Sequence, residues 1–121
     1  MINFFINNYL LIRYYDVQSG SIKIDNKNIQ ELSLNQLRDL MGVVTQESIL
    51  FNDSVINNIG LGLREIDHNQ AIKSSKMANA HDFIENMEKK YHTQIGDAGN
   101  KLSGGEKQRL SIARAIYKNP E

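Results

Sequence analysis

The chain has 121 residues, a length that fits at most one domain. Its 14 lysines and arginines balance its 14 aspartates and glutamates, and this neutrality argues against a dedicated nucleic-acid surface. There is no cysteine, which excludes disulfides, thiol catalysis and cysteine-ligated metals, and the histidines at 68, 81 and 92 are too scattered in the sequence to indicate a metal site.

The opening segment, residues 1–12, is apolar but is interrupted by three asparagines. It is shorter than the roughly 20 residues of a transmembrane helix, and it lacks the basic start and the small-residue cleavage site of a signal peptide. By itself the chain is therefore expected to be soluble and cytosolic. Residues 4–15 are almost continuously apolar and aromatic, and the length of this run favours a helix over a strand.

The next elements are predicted from alternation and capping. Residues 21–25 alternate as in a half-buried strand, and residues 25–28 are expected to turn the chain. Ser33 and Gln36 have the spacing of a capping box, which predicts a helix. The apolar stripe of that helix comprises Leu34, Leu37, Leu40 and Met41.

A compact β-branched run, Gly42 to Thr45, has the pattern of a strand buried on both faces of a parallel sheet. Gln46 follows this run directly. In open α/β sheets ligands bind beyond the carboxyl ends of strands, which makes Gln46 a site candidate. When Gln46 is considered alone, a solvated glutamine in a loop is the simpler interpretation.

Residues 49–60 are predicted to form a loop and a short helix, and residues 62–96, which show no strand pattern, are predicted to be a helical insertion. Ile49-Leu50-Phe51 forms an apolar loop patch, and Asp53 is expected to cap a short helix that ends at Gly60 and Gly62. Asp67 with Gln70 predicts the start of another helix, and residues 80–87 predict a further one. One side of the helix that Asp67 begins carries Ala71, Ile72, Ser75, Ala78 and Asn79.

A glycine-rich stretch, LSGGEKQR at residues 102–109, has the composition of an anion-binding helix start. Ser103 is a good N-cap, and Gly104 and Gly105 leave backbone N–H groups uncovered. The helix macrodipole favours an anion there by about 0.3 to 2 kcal/mol per charge. The following helix is expected to bury Leu110, Ala113, Ile116 and Tyr117, to solvate Arg109, Arg114 and Lys118, and to stop at Asn119 and Pro120.

The segment LSGGEKQRLSIARAIYKNPE resembles the signature motif and following helix of ATP-binding-cassette (ABC) transporter ATPases. Other stretches resemble the same family in the correct order. LLIRYYDVQSGSIKID resembles the segment that follows the P-loop helix in the family, and GVVTQESILFNDSVINNI resembles its Q-loop segment. ANAHDFI resembles the helical subdomain, and HTQIGDAG resembles the loop that precedes the signature motif. The resemblance covers residues 10–121 and is strongest to exporters of the lipid and multidrug type.

This resemblance implies an α/β fold, an incomplete P-loop NTPase-like (ABC ATPase) domain with a helical subdomain insertion. It divides the chain into residues 1–62, a remnant of the α/β core with the Q-loop, residues 63–105, the helical subdomain up to the signature motif, and residues 106–121, the signature helix. In the intact family domain, ATP hydrolysis drives transport across a membrane.

The resemblance also implies roles for the matched residues. Ser103, Gly104 and Gly105 would bind the γ-phosphate of ATP held on an opposing ABC ATPase domain, with Glu106 where many members carry glutamine. Gln46 would sense magnesium and the attacking water. Residues 49–59 and the helical insertion would meet the transmembrane domain, at the cytoplasmic face of the cell membrane. The implied cofactors are ATP and Mg.

The sequence departs from the family pattern in three places. No G-x-x-x-x-G-K-[ST] occurs, the chain stops before the strand with the magnesium aspartate and catalytic glutamate, and the pre-signature loop is GDAG instead of glycine-glutamate-arginine-glycine. We therefore expect no ATPase activity from this chain alone. We also expect marginal stability and self-association, since the strand at 42–45 would lack neighbours.

Two other functions fit part of the pattern. The chain could be a non-catalytic interaction module that lends its signature helix to an intact partner ATPase, or it could be a truncated pseudogene-like product. A DNA-maintenance ATPase also carries LSGGE-like motifs, but the continuation QRLSIARAIYKNPE and the neutral charge favour transport. No residue identifies the transported substrate.

Overall fold

A computed structural model describes residues 9–44 and 49–119 of the chain. It contains two compact units, Met1–Met41 with Glu121, and Gly42–Pro120. Thr45 and Gln46 lie outside the described residues. In the described ranges no helix is long and apolar enough to cross a membrane.

The first unit contains a β-hairpin where the sequence predicted one strand. Strand β1 (Lys23–Ile24) pairs antiparallel with β2 (Lys27–Asn28), with Ile24 opposite Lys27. Asp25 and Asn26 form the two-residue turn at φ of 47° and 64°, conformations that short polar side chains tolerate. The expectation that residues 25–28 only turn the chain is therefore wrong, because Lys27 and Asn28 already pair back.

A 3₁₀ turn (Ile29–Glu31) leads to helix α1 (Leu34–Asp39), whose capping box is confirmed. The Ser33 N–H donates to Gln36 Oε1 at 3.1 Å, and the Gln36 N–H donates to Ser33 Oγ at 3.2 Å. Leu37 is fully buried, whereas Leu34 is exposed. The predicted apolar stripe is therefore buried at its centre, Leu37, and exposed at its first residue, Leu34.

Residues 42–44 do not form the predicted strand, and Val43 and Val44 are exposed. A strand in a parallel sheet requires hydrogen-bonded neighbours. The two strands among the described residues pair with each other, and neither of them pairs with residues 42–44. The prediction of burial on both faces is therefore wrong for residues 42–44.

The second unit is helical and packs around its last helix. It contains α2 (Val55–Ile59), α3 (His68–Met77), α4 (His81–Glu85) and α5 (Gly104–Tyr117), with 3₁₀ turns at Lys90–His92 and Asp97–Gly99. Helix α5 contacts both α2 and α3. Its predicted apolar side is confirmed, since Leu110, Ala113 and Tyr117 are buried and Ile116 is partly buried. The largest buried side chains around it are Ile59, Ile84, Tyr91 and Ile95.

Helix α2 begins one residue later than predicted. Ser54 is its N-cap and accepts from the Asn57 N–H at 3.2 Å. Asp53 supports that cap from outside, since its Oδ1 accepts from the Ser54 N–H at 2.6 Å and from Asn57 Nδ2 at 2.8 Å. These hydrogen bonds, first that from the Ser54 N–H, lower the pKa of Asp53. Gly60 ends the helix as expected.

Asp67 caps α3 as predicted, by accepting from the N–H groups of Asn69 and Gln70. The helix ends at Met77, so Asn79 does not belong to its buried side. Asn79 instead is exposed and adopts a φ of 54°, as asparagine often does after a helix. The predicted helix at 80–87 is present as the shorter α4.

The three histidines, which are scattered in the sequence, lie around the buried ring of Tyr91. His81 Nδ1 is 2.8 Å from Tyr91 Oη, and the rings of His68 and His92 stack at 6.0 Å. In the part of the chain that the structure describes, no group of three or more His, Cys, Asp or Glu could hold a metal ion. The histidines act here as packing and hydrogen-bonding groups.

Tyr117 joins the end of α5 to the start of α3. Its Oη accepts from the Asp67 N–H at 2.9 Å, and its backbone oxygen accepts from Gln70 Nε2 at 2.9 Å. Tyr117→Phe would leave the Asp67 N–H without this acceptor, so we expect the free energy of unfolding to fall by about 1 to 3 kcal/mol.

Urea denaturation followed by circular dichroism measures this change. The matched control is Tyr15→Phe, at a tyrosine that is 70% exposed, where we expect almost no effect. Equal losses in the two variants would contradict the role assigned to Tyr117.

Candidate functional site

The first turn of α5 is held by a reciprocal capping box. The Ser103 N–H donates to Glu106 Oε2 at 2.9 Å, and the Glu106 N–H donates to Ser103 Oγ at 3.3 Å. Ser103 was predicted as the cap, whereas the hydrogen bond from its N–H to the Glu106 carboxylate was not predicted. The Ser-x-x-Glu spacing carries that signal.

Two backbone donors at this helix end have no intrahelical acceptor. The first backbone hydrogen bond of α5 runs from the Lys107 N–H to the Ser103 oxygen at 3.0 Å, and the capping box uses the Glu106 N–H. The N–H groups of Gly104 and Gly105 precede that bond, and both glycines are exposed. With the positive end of the helix dipole, these donors form a place where an anion can bind.

Neither glycine is required by packing within the unit. A Cβ on Gly104 would have no heavy atom within 4 Å, and a Cβ on Gly105 would meet only Arg109 Nη1, at 3.5 Å. An alanine at either position would therefore fit the unit itself. Because the two glycines have no side chains, a ligand from outside the unit can approach their N–H groups.

The pre-signature loop places this helix end through tight turns. Gly96 and Gly99 have φ of 75° and 66°, and Ala98 has a φ of 49°, which is uncommon for alanine. A Cβ on Gly99 would approach Leu50 Cδ1 to 2.9 Å, so glycine is needed there for close packing. Buried Leu102 then leads into the cap.

The apolar patch at residues 49–51 is split by burial. Ile49 is 67% exposed and Phe51 is 47% exposed, whereas Leu50 is 4% exposed and lies in the core. The predicted apolar patch is therefore exposed at Ile49 and Phe51 and buried at Leu50.

The predicted solvated face of α5 is wrong at two arginines. Arg114 donates to the backbone oxygens of Ile49 and Asn58, and burial lowers its pKa. Arg109 is half-buried with its guanidinium 5.4 Å from the centre of the Phe83 ring, and its buried Nε has no hydrogen-bond partner among the described residues. The spacing could have predicted the burial of Arg114, because it follows buried Leu110 by four residues and therefore lies on the same side of the helix.

Gln46, the candidate for sensing magnesium and water, lies outside the described residues. The structure therefore brings together Ser103, Gly104, Gly105 and Glu106, and the role of Gln46 stays a prediction from the sequence.

Comparison with known proteins shows which family the chain resembles. Residues 8–121 match the family profile described as ABC transporter. The chain is 52% identical over 110 residues to an ATP-dependent lipid A-core flippase of Syntrophus aciditrophicus, and the match covers 91% of this chain and 18% of the flippase. It is 47% identical over 115 residues to multidrug resistance protein 1 of Entamoeba histolytica, covering 93% of this chain and 9% of that protein.

Among solved structures, a bacterial Atm1-family ABC exporter with ATP bound is similar, with a TM-score of 0.88 and 40% identity. The match covers 97% of this chain and 21% of the exporter. The chain thus spans about a fifth or less of the length of these relatives. The likeness supports the predicted fold class, part of an ABC ATPase domain.

Substitutions at Ser103 can separate its capping role from any role in binding. Ser103→Ala removes the acceptor for the Glu106 N–H and should lower the free energy of unfolding by about 0.5 to 2 kcal/mol. Ser103→Asp keeps a side-chain oxygen that can cap and should change it little. Thermal melts of the two variants measure this, and equal destabilisation by both would show that the cap is not the source of the loss.

Proposed function

We infer the function of this chain from its family, because it belongs to the ABC transporter family and corresponds to part of the ATP-binding domain of its exporters. We propose that Ser103, Gly104 and Gly105 receive the γ-phosphate of ATP. That ATP is held, with Mg, by a second ABC ATPase domain. The observation that carries the proposal is the pair of outward N–H groups at Gly104 and Gly105. In the intact transporter the shared site would couple ATP hydrolysis to transport.

The chemistry of Ser103 supports this assignment. Its oxygen accepts the Glu106 N–H, which leaves the hydroxyl proton free to turn toward a ligand. The hydroxyl and the two glycine N–H groups supply three donors to one phosphate. Phosphoryl transfer depends mainly on positioning and on stabilising charge at the transferred group, and fixed donors at a helix start provide both.

Glu106 contributes in a different way. Its carboxylate folds back onto the Ser103 N–H at 2.9 Å, so its charge stabilises the helix start. It therefore fixes the donors in place, and we assign it to the site as a residue that orients Ser103. Gln46 is proposed, from the sequence alone, to contact magnesium and the attacking water in the nucleotide site of its own domain.

The second proposed partner is the transmembrane domain of the transporter. Ile49 and Phe51 present large exposed apolar side chains on one loop, which suits contact with another protein surface. Docking there would place the chain at the cytoplasmic face of the membrane.

We expect the purified 121-residue chain to show no magnesium-dependent ATPase activity above background, because its sequence contains no P-loop lysine to grip the phosphates. Phosphate release at saturating ATP measures this. Turnover that disappears in Ser103→Arg would contradict the expectation.

Association with a partner tests the shared site directly. We expect the chain to associate with a P-loop-bearing ABC ATPase domain only when ATP is present, as measured by analytical ultracentrifugation. Ser103→Asp, which caps the helix but repels phosphate, should weaken this association by at least about tenfold, or about 1.4 kcal/mol. Gly104→Ala should weaken it similarly, because its methyl group covers the donors without disturbing the unit.

The matched control is Ser33→Asp, at the capping box of α1. It changes the same residue type at a comparable helix start and should leave the association unchanged. Association that is independent of ATP and insensitive to Ser103→Asp would exclude the shared phosphate site.

A further inference from the structure

Arg114, in the last turn of α5, is held by other parts of its unit. Its Nε donates to the Asn58 backbone oxygen at 2.8 Å, its Nη1 to the Ile49 backbone oxygen at 2.8 Å, and its Nη2 to Asn58 Oδ1 at 3.1 Å. The guanidinium also lies 5.9 Å from the centre of the Phe51 ring. One side chain thus connects α5, α2 and the loop at residues 49–51.

Asn58 completes this connection and is 1% exposed. Besides accepting from Arg114, its Oδ1 accepts from the Phe51 N–H at 2.9 Å. Its Nδ2 donates to the backbone oxygens of Phe51, at 3.1 Å, and Ser54, at 3.0 Å. The amide therefore uses its full hydrogen-bonding capacity and holds the backbone of Phe51 by both its N–H and its oxygen.

Hydrophobic burial alone does not fix this loop. Only Leu50 is inserted in the core, while Ile49 and Phe51 on either side of it remain largely exposed. Water favours burying such side chains, so an unrestrained loop would tend to fold them inward. The polar network of Arg114 and Asn58 opposes that collapse, because it fixes the backbone groups at both ends of the patch.

We infer that Arg114 is a positioning residue that, together with Asn58, attaches the loop at 49–51 to α5 and so presents Ile49 and Phe51 on the surface. Arginine suits this task because its planar fork reaches three acceptors at once, whereas a lysine ammonium is a point charge without that geometry. The identity of the docked partner rests on the proposed function. The attachment itself requires neither ATP nor a partner.

Hydrogen exchange of the whole 121-residue chain, measured by NMR without nucleotide, tests the inference. In Arg114→Lys the Phe51 N–H should exchange faster by about tenfold or more, as expected when a hydrogen bond that depends on a charged group is weakened. The Ile84 N–H, which donates to the Ala80 oxygen in α4, serves as the reference and should change little. Arg114→Gln, which removes the charge and the fork, should give the same pattern and provides a second variant.

The matched control is Arg109→Lys, since Arg109 lies on the same helix, is half-buried and also faces an aromatic ring. It should leave the exchange of Phe51 unchanged. The inference is overturned if Phe51 keeps its protection in both Arg114 variants, if Arg109→Lys has the same effect, or if Ile84 accelerates equally, which would indicate only a general loss of stability. Because no nucleotide is present, these results are independent of the association experiment.

Discussion

The structure of the second unit depends on the burial of one side of α5. Leu110 and Ala113 are fully buried, and the helix contacts both α2 and α3 through that side. Burying apolar surface is the main favourable contribution to folding, and Leu110, Ala113 and Tyr117 of this helix are all part of the core of the unit. Because the same helix begins at Ser103, its packing also fixes the direction in which the N–H groups of Gly104 and Gly105 point.

Polar contacts then determine how the surrounding segments attach to this helix. Tyr117 binds the start of α3, and Arg114, which also lies in the last turn of α5, binds the loop at 49–51. At the other end the capping box holds the first turn. On burial these polar groups lose their hydrogen bonds with water, and each contact replaces those bonds. Because hydrogen bonds are directional, each contact also fixes the position of the segment that it attaches.

The candidate site follows from what this arrangement leaves open. The cap satisfies the Glu106 N–H, and the helix ladder begins at Lys107, so the donors of the two glycines remain directed outward. The unit can accommodate a Cβ at either glycine, so its own packing does not require the open surface. Under the proposed function, this surface receives a nucleotide phosphate that is held by another domain.

The sequence by itself determined the family, the start of α5 and its buried side, because capping residues and apolar spacing act within one or two helical turns. It also placed the caps at Ser33 and Asp67 correctly. Only the tertiary structure decided the burial of Arg114, the splitting of the patch at 49–51, the gathering of the histidines around Tyr91 and the absence of a strand at 42–44. Each of these depends on neighbours far away in the sequence. A side chain's spacing shows which side of its own helix it lies on, but whether that side meets water, a carbonyl oxygen or another strand depends on which segments pack against it.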